Sequence, residues 1–153
     1  MRKQTPKLPR REFLKSAGVA AGAMAGIPQF LSPRVLGAPG KIGPNDRIVT
    51  AHVGVGGMGG YHLREMVYRM NNNEVDIAAV CDADESRLRK ASETAGPQAG
   101  VYRDYRYVLE RNDIDAVVFA TPDHWHGLQM THAAECGKHV SVEKPACCTI
   151  EEG

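Results

Sequence analysis

A run of glycines at the joint between two kinds of periodicity constrains this chain more than any other stretch. In "RIVTAHVGVGGMGGYHLREMVYRM" the residues from Ile48 to Val55 are β-rich and lead into Gly54-x-Gly56-x-x-Gly59. Leu63, Met66, Val67 and Met70 then recur at i, i+3, i+4 and i+7, one apolar face of a helix. Strand, glycine turn and helix in that order are the setting of a dinucleotide fingerprint. Gly54 would make the tight turn, Gly56 would let backbone approach a pyrophosphate, and Gly59 would let helix and strand pack closely. Gly57 and Met58 complete the turn, and the first amides of the helix would face the phosphate charge. Gly-rich turns are common, so the pattern needs support from residues further along the chain.

That support begins with "EVDIAAVCDAD", a buried strand ending at Asp82. An acid about twenty residues beyond the glycines can accept from the ribose hydroxyls of an adenosine. Asp82 favours NAD over NADP, because a carboxylate there repels a 2′-phosphate; Arg87 or Arg89 nearby would soften that preference. Asp84, just before "ESRLRKA", is the better helix-cap candidate. A helix is expected from Glu85 to Ala95, broken at Gly96-Pro97, then a short strand, turn and helix within "VYRDYRYVLERNDID". "AVVFATP" is an apolar strand ending at Thr121-Pro122. "DHWHGLQMTHAAECG" is a helix with Met130, Ala133 and Ala134 inward and Gly137 at its C-terminal cap, and "KHVSVEKP" is the next strand.

Strict alternation of strand and helix gives an α/β fold, a Rossmann-like doubly wound parallel sheet, with ligands beyond the carboxyl ends of the strands. Glu143 and Lys144 then fall at the ligand-facing edge, as do Thr121, Pro122 and the histidines of "HWH". Lys144 can orient a hydroxyl or a nicotinamide, and Pro145 after it biases the turn away from helix. Thr149-Ile150-Glu151-Glu152 has capping-box spacing and announces one more helix. His52 and His62 have no partner pattern and default to packing. No metal site is expected: His124, His126 and His132 lack a convergent carboxylate or cysteine.

Composition narrows the class. Among 153 residues, 42% are hydrophobic and 24% charged, which fits a soluble globular chain. The net charge of +1 hides seven Lys/Arg against one Glu in residues 1–38, leaving an acidic body unsuited to nucleic acid. Cys81 and Cys136 read as buried small hydrophobes, Cys147 and Cys148 stay ambiguous, and a domain of this size needs no disulfide framework.

Arg10-Arg11 precede Phe13-Leu14-Lys15 and a short apolar run from Ala17 to Ile27. A basic region followed by a weakly hydrophobic one reads as a secretory signal, too short to span a bilayer as an ordinary helix. The run resembles a twin-arginine export signal over residues 1–38, with Pro9 in place of the usual Ser or Thr, followed by a linker over 39–46. Such export implies the twin-arginine machinery as partner, cofactor loading before crossing, and a periplasmic or exported protein. A basic tail on a cytoplasmic protein, or an uncleaved membrane anchor, are the alternatives.

Taken together, "VGVGGMGG", "VCDAD" and "TPDHWHGLQMTHAAECGKHVSVEKP" resemble the Gfo/Idh/MocA oxidoreductases, from about Arg47 to the last residue. The resemblance implies an N-terminal Rossmann domain over 47–153 binding NAD, or less readily NADP, and a sugar or polyol substrate. It places Lys144 of the E-K-P motif near nicotinamide and substrate, and Thr121, Pro122 and His126 beside the cofactor. It also implies a C-terminal α+β domain with a D-x-x-x-H base, absent from these 153 residues, so turnover by them alone is not expected. Homo-oligomers are expected only with that domain, whose uncovered docking surface here would favour association. The leading expectation is hydride transfer at a sugar or polyol CH–OH carbon. An NAD-dependent glycosidase of the same fold and a non-catalytic nucleotide-binding module are the competing ones.

Overall fold

The computed structural model describes residues 46–153. Up to residue 45, the expected leader and linker lie outside the described residues. Among the described residues five strands and four α-helices alternate: β1 (Ile48–Val53), α1 (Gly57–Asn71), β2 (Val75–Cys81), α2 (Glu85–Ala95), β3 (Gly100–Tyr102), α3 (Tyr105–Leu109), β4 (Ala116–Phe119), α4 (His126–Glu135) and β5 (His139–Val142). All pair in parallel in the order β3-β2-β1-β4-β5. The order reverses at β1, so a crevice opens between β1 and β4 at the carboxyl edge, where open α/β sheets bind ligands.

Each face of the sheet carries its own core. Ala51, Val53, Ala79, Cys81, Val117 and Phe119 pack against Val108 and Leu109 of α3 and Ala133 of α4. Ile77, Val80 and Val55 pack on the other face against Leu63 of α1 and Leu88, Ala91 and Ala95 of α2. Helices on both faces make the sheet doubly wound, and burying each Leu or Ile contributes about 2 kcal/mol. The β1–β2 register shifts between Thr50 and Ala51, which pair with Ile77 and Ala79. The extra residue, Ala78, explains how Ile77 and Val80 share a face at odd spacing. Its carbonyl accepts from Arg111 Nη1 at 2.8 Å.

Helix ends follow the sequence closely. Asp84 caps α2, accepting from Ser86 N–H at 2.8 Å and Arg87 N–H at 3.1 Å, and Gly96 ends it at φ +91°. Asp104 caps α3 through Arg106 N–H. Two expectations fail. The segment after Pro122 opens with a 3₁₀ turn, Asp123–Trp125, before α4, and this turn resets the helical phase. His126, Gln129 and Ala133 therefore face inward at i, i+3 and i+7, while Ala134 is exposed and Met130 only half-buried. Cys136, at the α4 terminus, is exposed, whereas Cys81 is buried as read. At residues 149–152 the capping-box side chains bond to nearby backbone in a turn, Thr149 Oγ1 accepting from Glu152 N–H at 3.3 Å and Glu152 Oε2 from Cys148 N–H at 2.8 Å.

Candidate functional site

A cleft of about 650 Å³ runs along the carboxyl edge of the sheet, and all five strand ends contribute to it. Gly54, Gly56, Gly57 and Met58 enter after β1, Asp82 and Arg87 after β2, and Arg103 to Arg106 after β3. Thr121, Pro122, Asp123, Trp125 and Gln129 follow β4, and Glu143 and Lys144 follow β5.

The glycine turn is built as its spacing predicts. Gly54 lies at φ +78°, and a Cβ there would stand 2.6 Å from the Ala120 carbonyl oxygen. Its N–H donates to the Cys81 carbonyl at 2.8 Å. A Cβ on Gly59 would fall 1.7 Å from the Gly54 carbonyl oxygen, so this residue lies behind the cleft and lets α1 close on the turn. Gly57 has open space where a side chain would be, and at Gly56 the nearest atom is Arg87 Nη1 at 3.1 Å. Unlike α2 and α3, α1 begins without any side-chain cap, and like α3 it has no acid in its first turn. Its first amides are therefore left for something in the cleft, and an N-terminus of this kind suits a pyrophosphate.

Asp82 braces the same turn. Oδ2 accepts from Val55 N–H at 2.9 Å and Oδ1 from Asp84 N–H at 2.9 Å. Each oxygen keeps a second lone pair, so the carboxylate is positioned and still able to accept from a hydroxyl. Arg103 flanks it, donating to Glu85 at 2.9 Å. The residues present thus fit a dinucleotide: a cradle that a Cβ would fill, an open helix start, and an oriented acid beside it.

At the other end of the cleft, Lys144 is exposed and joined to Pro145 by a cis peptide bond. Glu143 beside it faces His62 of α1, Nε2 to Oε1 at 2.5 Å. The His62 hydrogen bond, helped by the Lys144 N–H, holds the Glu143 carboxyl below its usual range. His62 thus has a partner where the sequence suggested only packing; nothing local marks it, since the pair is separated by 81 residues. Thr121 Oγ1 donates to the buried Gln129 at 2.6 Å. His126 does not line the cleft: its ring is fully buried, with Nε2 2.9 Å from the Thr121 carbonyl and Nδ1 2.7 Å from that of Pro145. Trp125, Gln129 and Tyr105 also line the cleft, although no motif in the sequence singles them out. Among the described residues no group of His, Cys, Asp and Glu is arranged to hold a metal ion, and no helix is long and apolar enough to cross a membrane.

Comparison with known proteins agrees with this geometry. Residues 48–153 match the model of the Gfo/Idh/MocA oxidoreductase family, NAD-binding Rossmann fold. A glycosyl hydrolase family 109 protein of Shewanella pealeana is 30% identical over 164 residues, covering 95% of this chain and 35% of that protein. An alpha-N-acetylgalactosaminidase of Shewanella oneidensis is 32% identical, with 94% of this chain and 35% of that one covered. Among solved structures, scyllo-inositol dehydrogenase from Lactobacillus casei with bound NAD(H) and scyllo-inositol aligns at TM-score 0.63 and 27% identity, over 69% of this chain and 30% of that one. The WlbA dehydrogenase from Bordetella pertussis, in complex with NADH and UDP-GlcNAcA, aligns at TM-score 0.61 and 26% identity, over 69% and 32%. The chain spans about a third of the length of these relatives. With cradle, acid and strand order all in place, the chain belongs to the Gfo/Idh/MocA oxidoreductase family and carries its NAD-binding Rossmann fold.

Proposed function

We propose that the protein containing this chain transfers hydride between NAD and a CH–OH carbon of a sugar or polyol. The observation that carries this reading is that one cleft holds the glycine cradle, Asp82 and Lys144. When bound, NAD supplies the hydride acceptor at C4 of its nicotinamide. Backbone at Gly56 and Gly57 and the first amides of α1 hold the pyrophosphate, and Asp82 accepts from the adenosine ribose. The Lys144 ammonium donates to the reacting oxygen and steadies the charge that develops as its proton leaves. Glu143, next to Lys144, is engaged by His62, and the base that takes that proton is assigned to another part of the whole protein. NAD is favoured over NADP because Asp82 would repel a 2′-phosphate, while the two arginines that line the cleft near it are engaged, Arg87 facing Asp84 at 3.9 Å and Arg103 facing Glu85 at 2.9 Å.

A second reading has its own support. The glycosyl hydrolase family 109 relatives align with up to 95% of the chain at 30% identity. A glycosidase of this kind oxidises and re-reduces its sugar and so uses the same cleft twice. We also propose, from Arg10-Arg11 and the short apolar run after them, that the protein is exported and loaded with cofactor before crossing.

Isothermal titration of NAD and NADP into the chain and its Asp82→Ala variant tests the cofactor site. NAD binding is expected to weaken by about 1–3 kcal/mol without Asp82, the scale of hydrogen bonds to a charged acceptor. Unchanged binding would remove Asp82 from the site. With the whole protein, NADH accumulating on a polyol marks the dehydrogenase; release of a glycoside's leaving group without NADH marks the glycosidase.

A further inference from the structure

Two histidines from different helices grip the residues on either side of Lys144. On one side His62, in the second turn of α1, holds Glu143 Oε1 at 2.5 Å. The other carboxylate oxygen of Glu143 accepts from the Lys144 backbone N–H at 3.2 Å, and the Glu143 N–H donates to the Phe119 carbonyl at 2.9 Å. On the other side the His126 ring, from α4, stands 2.7 Å from the Pro145 carbonyl and 2.9 Å from that of Thr121. A neutral imidazole donates through one nitrogen and an imidazolium through both. In either form His126 ties the turn after β5 or the turn after β4 from inside the core.

These grips matter because of where Lys144 stands. Its strand, β5, pairs only with β4 among the described residues, so the turn beyond it has no second neighbouring strand to hold it. Lysine itself is a flexible four-carbon stem with much rotamer freedom. A misplacement of about 1 Å at a reacting group is enough to cost two orders of magnitude in rate. His62 belongs to the helix whose N-terminus forms the phosphate cradle, so its bond to Glu143 fixes the lysine relative to the bound cofactor.

We propose that His62 is a positioning residue for Lys144, fixing the backbone at Glu143 so that its ammonium meets the nicotinamide end of the cleft. This rests on the proposed role of Lys144 at that end. The test uses the full chain with its lysines ¹³C-dimethylated, the Lys144 resonance being assigned by its loss in Lys144→Arg. In the unaltered chain NADH shifts this resonance and ADP-ribose, which lacks nicotinamide, does not. His62→Leu is expected to abolish the NADH-induced shift while calorimetric binding of ADP-ribose persists, and His62→Gln, which keeps a donor, to restore it. Should His62→Leu melt the fold, Glu143→Met removes the acceptor itself at similar length and is expected to lose the shift too. A shift that survives in Glu143→Met and in any folded His62→Leu overturns the inference alone. If NADH fails to move Lys144 in the unaltered chain, the role given to Lys144 falls and the inference with it.

Discussion

His52 is the penultimate residue of β1, 1% exposed, with both ring nitrogens unbonded. Burial, reinforced by the nearby His62, lowers its pKa to about 4. In the unfolded chain the ring takes a proton near its ordinary 6.5, and in the folded one only near 4, so the unfolded state binds more protons in between. Stability is therefore expected to fall as pH drops through that window, by about 3 kcal/mol across it, and to be insensitive to this group above it. The depressed carboxylates Asp84, Asp104, Asp113 and Glu143 lose their contributions further down, below their ordinary values, and so do not blur it. Urea unfolding at pH 7 and pH 5 checks this, with His52→Leu expected to flatten the difference; a wild-type midpoint that does not move between them would refute it. At this scale the sequence is an uneven guide. Asp82 and Asp84 are separable because one ends a strand and the other precedes a helix, whereas His52 and His62 look alike and differ only in what tertiary packing brings to them.

At the level of elements, the glycine turn separates two demands that a motif merges. Gly59 is required by packing, because any Cβ there meets the backbone of Gly54. Gly57 has no such neighbour. Gly59→Ala is expected to destabilise the fold by about 3 kcal/mol, as overpacking against rigid backbone does. Gly57→Ala is expected to hold or gain up to about 1 kcal/mol from helix propensity while obstructing the phosphate cradle. Thermal unfolding of both variants checks the contrast, and equal losses would mean that the turn is strained as a whole. α2 is legible to its ends because Asp84 and Gly96 punctuate it. α4 is not, because the 3₁₀ turn before it shifts which residues face inward, and because its buried face holds His126 and Gln129, polar residues whose partners lie outside the helix. An apolar period finds a helix and misses the face it buries when that face is hydrogen-bonded.

For the molecule as a whole, the sheet is finished unevenly. Every residue of β5 except Val142 is exposed, and Trp125, Leu128 and Val140 leave apolar surface on β5 and on the segment that leads into it. A bare strand edge beside exposed apolar groups invites pairing with another chain. Sedimentation velocity of the chain is expected to show association that grows with concentration, reduced by Val140→Lys; a monomer at all concentrations would contradict this. The α/β alternation and the doubly wound parallel sheet are legible in the sequence, since each strand–helix unit announces itself locally. Contacts such as His62 with Glu143 are not, because they arise only when the first and last units of the sheet come together. The uncapped start of α1 has a consequence of its own. With Gly56 in place of a capping side chain, the helix gives up about a few tenths of a kcal/mol at that end. Whatever anion settles there restores it, so the ligand acts as a missing part of the chain, and the turn that recognises it is also the turn whose local opening it suppresses.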